Sequence, residues 1–191
     1  IIWAIFSDEE DNLWFGTDYG ISLLVKNKNV FPVLISQLTG TGEGNHFYAI
    51  HQDKHGYSWL GGTNGILRSQ TNTGTQTPVV WYKMGDRKNP LPHNRIRHIY
   101  EDRDNHLWIA TDGSINRYDY LTGQFIQYHI TDSTGHLNSN WAYHLHEDNQ
   151  GKLWIATCLG GIFVVDKKRL LDSPGQRYVA EYNFNTSNGL S

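Results

Sequence analysis

The sequence predicts an all-β protein, a β-propeller segment of about four blades in which each blade is a four-stranded antiparallel sheet. The first observation is a short phrase that returns four times in 191 residues, each time with an aspartate six residues before a tryptophan. The second is the absence of any sustained helical period, which disfavours helical repeats of similar length. Repeats spaced by about 45 to 49 residues are typical of stacked units that bury one another's apolar faces. The repeated pairs are Asp8 and Trp14, Asp53 and Trp59, Asp102 and Trp108, and Asp148 and Trp154.

Each repeat begins with a short run rich in β-branched and aromatic residues, which predicts the first strand of a blade. These runs span 2–6, 47–51, 96–100 and 142–146. The aspartate of the phrase opens the next turn, and we expect its carboxylate to accept hydrogen bonds from backbone N–H groups two or three residues further on. The fourth residue of that turn is of a type that tolerates positive φ at little cost. At this position stand Asp11, Gly56, Asn105 and Gly151.

The tryptophan lies in the predicted second strand, where it supplies a large apolar surface to the core. A small residue follows two positions later and lets the neighbouring surface approach closely. These small residues are Gly16, Gly61, Ala110 and Ala156.

Turns that contain glycine lead from the second strand of each repeat to a third strand. Third strands are expected to begin at Ile21, Ile66, Ile115 and Ile162. Fourth strands are expected at 30–35, 79–83, 125–130 and 178–184. The spacing predicts one propeller segment over 1–191, with blades near 1–44, 45–93, 94–139 and 140–187. Because residues 188–191 resemble the start of a further blade, we expect these blades to be a sector of a larger ring.

The composition excludes several classes of partner. Charged residues make up 18% of the chain and the formal net charge is −3, whereas a general nucleic-acid or anionic-membrane partner requires a basic surface. No stretch approaches the roughly 20 apolar residues that span a bilayer. Cys158 is the single cysteine, so an internal disulfide is excluded. We therefore expect no contact with nucleic acid, no membrane insertion by this segment and no cofactor.

The repeated phrase resembles the two-component regulator propeller repeat, which is found in the sensor regions of hybrid two-component systems of Bacteroides-type bacteria. The clearest matches are 99–113 and 145–157, and the resemblance extends over all four repeats. It implies a periplasmic segment of a seven-bladed propeller, accompanied in the full-length chain by a second propeller and by a histidine kinase beyond a membrane span. It also implies a non-catalytic receptor that recognises glycan-derived oligosaccharides and signals through rearrangement of domains or of a homodimer.

Ligand contacts are expected where the repeats differ, because the repeated residues form the scaffold. Two variable positions lie eleven and thirteen residues before each tryptophan, at the start of the first strand and near the central channel. Aromatic rings there can stack on a sugar, and arginine offers a planar fork to hydroxyls or to a uronate or sulfate. A basic cluster at 93–98 indicates an acidic ligand as one alternative, although its charges can equally pair with Glu101 or Asp102. The candidate ligand residues are His46, Tyr48, Arg95, Arg97, Trp141 and Tyr143.

Two other functions stay open from the sequence. One is a propeller enzyme, a lyase or a glycosidase, because the turn resembles both the Asp-box of sialidases and the repeat of streptogramin lyases. An Asp-box has a shorter separation between its aspartate and tryptophan, however, and acidic pairs such as Glu101 and Asp102 are adjacent residues that point to opposite faces of a strand. We therefore expect no catalytic residues. The other function is a protein–protein interaction scaffold.

His144 and His146 are the best candidates for a metal site, because alternate residues of a strand share a face. No third ligand is evident near them in the sequence. His98 and His144 also occupy a position that is alanine in the first two repeats, which favours packed histidines. We therefore expect no metal ion.

Overall fold

The computed structural model describes residues 1–26, 46–70, 79–135 and 141–190, and within these ranges the chain forms four sheets. The first sheet contains β1 (Ile2–Ser7), β2 (Leu13–Thr17) and β3 (Gly20–Leu24). The second contains β4 (Phe47–Gln52), β5 (Tyr57–Gly62), β6 (Gly65–Gln70) and β7 (Val79–Tyr82). The third contains β8 (Ile96–Glu101), β9 (Leu107–Thr111), β10 (Ile115–Asp119), β11 (Gln124–Thr131) and β15 (Arg177–Val179). The fourth contains β12 (Ala142–Glu147), β13 (Lys152–Thr157), β14 (Ile162–Asp166) and β16 (Tyr182–Phe184).

The four sheets are arranged as consecutive blades of a propeller. The first three strands of each repeat pair antiparallel in sequence order, and the first strands β1, β4, β8 and β12 adjoin one another in that order. The predicted fold class is therefore confirmed. The fourth strand expected at 30–35 lies outside the described residues, as do two of the expected blade boundaries, near 45 and near 140. Those boundaries stay a prediction.

The repeated aspartate and tryptophan are bonded to each other in every blade. The indole N–H of Trp59 donates to Asp53 Oδ2 at 2.7 Å, and the distances in the other three blades are 2.8, 2.9 and 2.8 Å. The other oxygen, Oδ1, accepts two backbone N–H groups of the turn, from the residues two and four positions further on. The sequence expectation of two or three positions was thus wrong for the second donor. Each aspartate therefore joins its turn to the core tryptophan of the same blade.

Neighbouring blades approach one another closely at the small residue of the second strand. A Cβ added at Gly16 would lie 2.6 Å from the carbonyl oxygen of Phe47 in the next blade, and one at Gly61 would lie 2.8 Å from Ile96 Cβ. Trp59 and Trp108 are fully buried there, whereas Trp154 is half-buried. One kind of side-chain bond recurs between each pair of successive blades. In it, the backbone N–H of the residue after one turn aspartate donates to the side chain of the residue before the next blade's turn aspartate. These bonds join Glu9 to Gln52, Lys54 to Glu101, and Arg103 to Glu147.

The final strands differ from the expected single strand over 178–184. A short helix, α1 (Lys167–Leu171), follows β14 and is capped by the side chain of Asp166, which accepts the N–H of Arg169. The chain then adds β15 to the edge of the third sheet, parallel to β11, and returns to the fourth sheet as β16. The switch falls between two adjacent residues, because Ala180 donates its N–H to Thr131 and Glu181 donates to Val164. The expected strand is wrong because these adjacent residues bond to different blades.

Candidate ligand-binding surface

The first strand of every blade contains one β-bulge, at the same place. Its register shifts between Ile2 and Ala4 in the first blade, and equivalent shifts follow in the other three. A bulged residue is removed from the ladder and its side chain is redirected, a device common beside binding sites. The four bulged residues, called here the bulge column, are Trp3, Tyr48, Arg97 and Tyr143.

The bulge column forms a continuous stack across the four blades. The rings of Trp3 and Tyr48 meet edge to face, with centroids 5.4 Å apart. The guanidinium carbon of Arg97 lies 5.8 Å from the ring centroid of Tyr48 and 4.5 Å from that of Tyr143. Since Tyr48 and Tyr143 belong to the blades on either side, Arg97 is held between two aromatic rings. The structure therefore brings three of the six candidate residues together and adds Trp3.

The remaining candidates lie two residues earlier, beside the bulge column. The His46 ring is stacked on Tyr48 with centroids 6.3 Å apart and an interplanar angle of 8°. Arg95 Nη1 lies 3.4 Å from Asp112 Oδ2, and its side chain is 46% exposed. Trp141 is 46% exposed, and its backbone carbonyl accepts the N–H of Cys158 at 3.0 Å. These residues extend the bulge column into a wider surface.

Two carboxylates that the sequence reasoning missed hold these side chains in place. Asp112 accepts Arg97 Nε at 2.6 Å and Arg97 Nη2 at 3.0 Å, and this hydrogen bonding raises the pKa of Arg97. Asp18 accepts the indole N–H of Trp3 and lies 2.7 Å from His46 Nδ1, so the pKa of Asp18 is well below its usual range. We call the bulge column, His46, Arg95, Trp141 and these two aspartates the rim surface.

Position in the repeat is the signal that could have identified the two carboxylates. Both lie four residues after a repeated tryptophan, at a position where Thr63 and Cys158 stand in the other blades. The backbone N–H of this residue donates to the carbonyl of residue 1, 46, 95 or 141 in the same blade. A variable residue bonded to the start of the first strand is thus placed next to the bulge.

The histidines of the first strands are not all packed as expected. The rings of His98 and His144 are stacked 3.9 Å apart, and His98 Nδ1 accepts the N–H of Leu145 at 3.2 Å. Burial, with smaller effects from His144 and His51, lowers the pKa of His98 to about 4, so this ring is neutral at neutral pH. His144 and His146, by contrast, are exposed. The expectation of packing, drawn for His98 and His144, is therefore wrong for His144.

One cluster in the described ranges has the donor atoms of a metal site. The ligand atoms of Asp102, Asp104 and His106 lie within 4.8 Å of one another. The ammonium group of Lys167 lies 3.2 Å from Asp102 Oδ2, 2.7 Å from Asp104 Oδ2 and 2.6 Å from Glu147 Oε1. A cation of the chain itself thus already contacts both carboxylates of the cluster.

These features define the chain as a segment of a β-propeller with one repeated phrase per blade. The sequence profile described as "Two component regulator propeller" matches residues 1–19, 90–113 and 136–158. The chain belongs to this family of repeats, as the sequence resemblance predicted. No curated protein matches it. Among the residues that the structure describes, no helix is long and apolar enough to cross a membrane.

Comparison with solved structures supports the same family assignment. The chain is 57% identical, over 100% of its own length, to the extracellular domain of the putative hybrid two component system BT4673 from B. thetaiotaomicron, with a TM-score of 0.79. It spans only 26% of that chain. The extracellular domain of BT3049 from the same organism is 22% identical over 88% of the chain and 21% of its own, with a TM-score of 0.67. A streptogramin B lyase, 18% identical over 87% of the chain and 52% of its own with a TM-score of 0.63, shares the fold.

Proposed function

We propose that this chain is a non-catalytic, ligand-sensing propeller segment in the periplasmic part of a hybrid two-component system, and that its rim surface recognises glycan-derived oligosaccharide. The observation that carries the proposal is the bulge column, in which four successive blades present an aromatic ring or a guanidinium at one bulge position. The 57% identity to the extracellular domain of a putative hybrid two component system supports the receptor role.

The chemistry of the rim surface is suited to sugars. Within this four-blade segment Trp3 is 47% exposed and Tyr143 is 40% exposed, and both contact neighbouring side chains. Rings that are exposed yet fixed in place can stack on the apolar face of a pyranose at little entropic cost. Among the described residues Arg95 makes a single long contact, with Asp112, which leaves other N–H donors of its guanidinium for hydroxyl groups. Stacking and directed hydrogen bonds are thus available together.

Further blades and a second propeller are proposed as partners in the full-length protein, together with a second copy in a homodimer. Ile2 and Ile5 of β1 are 57% and 66% exposed, whereas the equivalent Ile96 and Ile99 of β8 are buried against the preceding blade. An apolar strand face of this kind is normally covered by another blade. The proposed signal is a change in domain or dimer geometry when the rim surface is occupied.

The test is isothermal titration calorimetry of the intact receptor region with a panel of oligosaccharides from plant and host glycans. We expect micromolar-range binding of at least one member. Tyr143→Ala should then weaken binding about tenfold, because it removes an aromatic stacking partner. Tyr182→Ala, a tyrosine that is 57% exposed on the outer strand β16, is the matched control and should bind like the wild type. Absence of binding across the panel would refute the proposed function, and equal affinities for the two variants would refute the assignment of the site.

A further inference from the structure

We propose that the ligand of the rim surface is a neutral saccharide and not a uronate or a sulfated sugar. The inference rests on the proposed function, since it names the ligand class of the same surface. It replaces the alternative of an acidic ligand, which was drawn from the basic cluster at 93–98, because Arg95 and Arg97 both already bind Asp112.

The carboxylate-binding edge of Arg97 is occupied by the protein. Both Nε and Nη2 donate to the two oxygens of Asp112, at 2.6 and 3.0 Å, which is the bidentate geometry with which arginine binds a carboxylate. The same guanidinium also lies over the rings of Tyr48 and Tyr143, in the blades on either side. The side chain of Asp112 is only 6% exposed, so a ligand cannot easily take its place. Arg97 therefore acts as part of the stack and not as a receptor for an anion.

Arg95 faces the same carboxylate. Its Nη1 lies 3.4 Å from Asp112 Oδ2, so any anion that reaches Arg95 also comes close to the negative charge of Asp112. At an effective dielectric constant suited to a protein surface, repulsion between like charges at such separations offsets much of the attraction to Arg95. An arginine that already pairs with a carboxylate of the protein is therefore a poor site for the carboxylate of a ligand.

The charges of the rim surface cancel within the residues that the structure describes. Arg95 and Arg97 contribute two positive charges, and Asp18 and Asp112 contribute two negative charges. No net positive field remains to attract an acidic sugar. What the surface of this segment does offer is ring area on Trp3, Trp141 and Tyr143, together with N–H donors of Arg95 that pair with no other described residue, for hydroxyl oxygens. These contacts match a neutral pyranose.

The test uses pairs of equal-length oligosaccharides that differ only in the oxidation of C6, galactosides against galacturonides and glucosides against glucuronides. Calorimetry on the intact receptor region should show that any pair that binds prefers the neutral member. Affinity for that member should change by less than about twofold between low and high salt, because no ion pair forms on binding. A preference for the acidic member, or a steep salt dependence, would overturn the inference.

Asp112→Asn provides a second test, because it removes the carboxylate that pairs with Arg95 and Arg97. We expect the affinity for the acidic member to rise about tenfold, so that the preference narrows or reverses. The matched control is Asp119→Asn, which removes the same charge at the opposite end of β10 and should leave both affinities unchanged. An unchanged preference in Asp112→Asn would also overturn the inference. If no member of any pair binds, the proposed function itself fails, and this outcome is distinct from binding with acidic preference.

Discussion

The buried ammonium group of Lys167 gives the sharpest prediction about stability. Its side chain is 6% exposed, and it contacts carboxylates of two blades, Asp102 and Asp104 in the third and Glu147 in the fourth. Lys167→Met leaves Asp102, which is 0% exposed at its side chain, and Glu147, which is 3% exposed, without their cation. Breaking a buried pair costs about 3 to 5 kcal/mol.

We expect the lower end of that range because both carboxylates keep other donors. Asp102 still accepts the indole of Trp108, and Glu147 still accepts the backbone N–H of Arg103. A loss of about 3 kcal/mol corresponds to roughly 100-fold faster amide exchange through local opening. Native-state hydrogen exchange of peptides covering 96–111 and 142–157 measures this in the intact protein, without assuming a two-state transition.

Lys168→Met is the control, since Lys168 is the exposed neighbour on the same helix. Equal exchange rates in Lys167→Met and Lys168→Met would refute the reasoning. The pH dependence gives a second check. Although burial opposes them, hydrogen bonds from Trp108 and His106 hold the pKa of Asp102 below its usual range. The stabilisation from Asp102 is therefore present above the unfolded pKa and is lost as the pH falls through the folded pKa, so the difference between wild type and Lys167→Met should shrink in acid.

Three further outcomes follow from contacts in the first strands and between blades. Gly61→Ala should destabilise the protein by about 1 to 3 kcal/mol, because the new methyl group overlaps Ile96; a thermal midpoint equal to that of the wild type would contradict the close approach. Tyr120→Phe removes a hydroxyl that donates to Asp53 Oδ2 of the preceding blade at 2.7 Å, so it should cost about 1.5 to 3 kcal/mol by hydrogen exchange, and no loss would exclude this bond as a stabilising contact. His98 should stay neutral until the pH nears 4 in an NMR titration of its ring protons; since its folded pKa lies below the usual 6.5, stability should fall as the pH drops from about 6.5 to 4, and titration near 6.5 would show that the ring is solvated.

The fold was predictable because its determinants are local and repeated. An aspartate six residues before a tryptophan appears four times, and the structure shows that this separation lets the indole N–H reach the carboxylate. The bond itself was not predicted, because the pattern gives a spacing but no direction for the side chains. Positive φ at Asp11 and Asn105 was predictable, since only a few residue types adopt it readily.

The site was predictable only in part. Variation between repeats led to Tyr48, Arg97 and Tyr143, but not to the bulge that redirects them, because a bulge changes pairing and leaves no composition signal. Asp112 was missed, because its bidentate contact joins the turn after β9 to Arg97 of β8. Burial of Lys167 was missed for a similar reason, since two of its three carboxylates lie in the turn after β8 and the third lies in β12.

The edge strand β15 determines which fragments of the protein expose the edge of the third sheet. It belongs by sequence to the fourth repeat, yet it completes the outer margin of the third sheet alongside His129–Thr131. A polypeptide ended after the third repeat would expose the hydrogen-bonding groups of that margin to solvent and invite pairing with other molecules. Excised single repeats of this protein should accordingly aggregate sooner than a fragment that retains the third and fourth together.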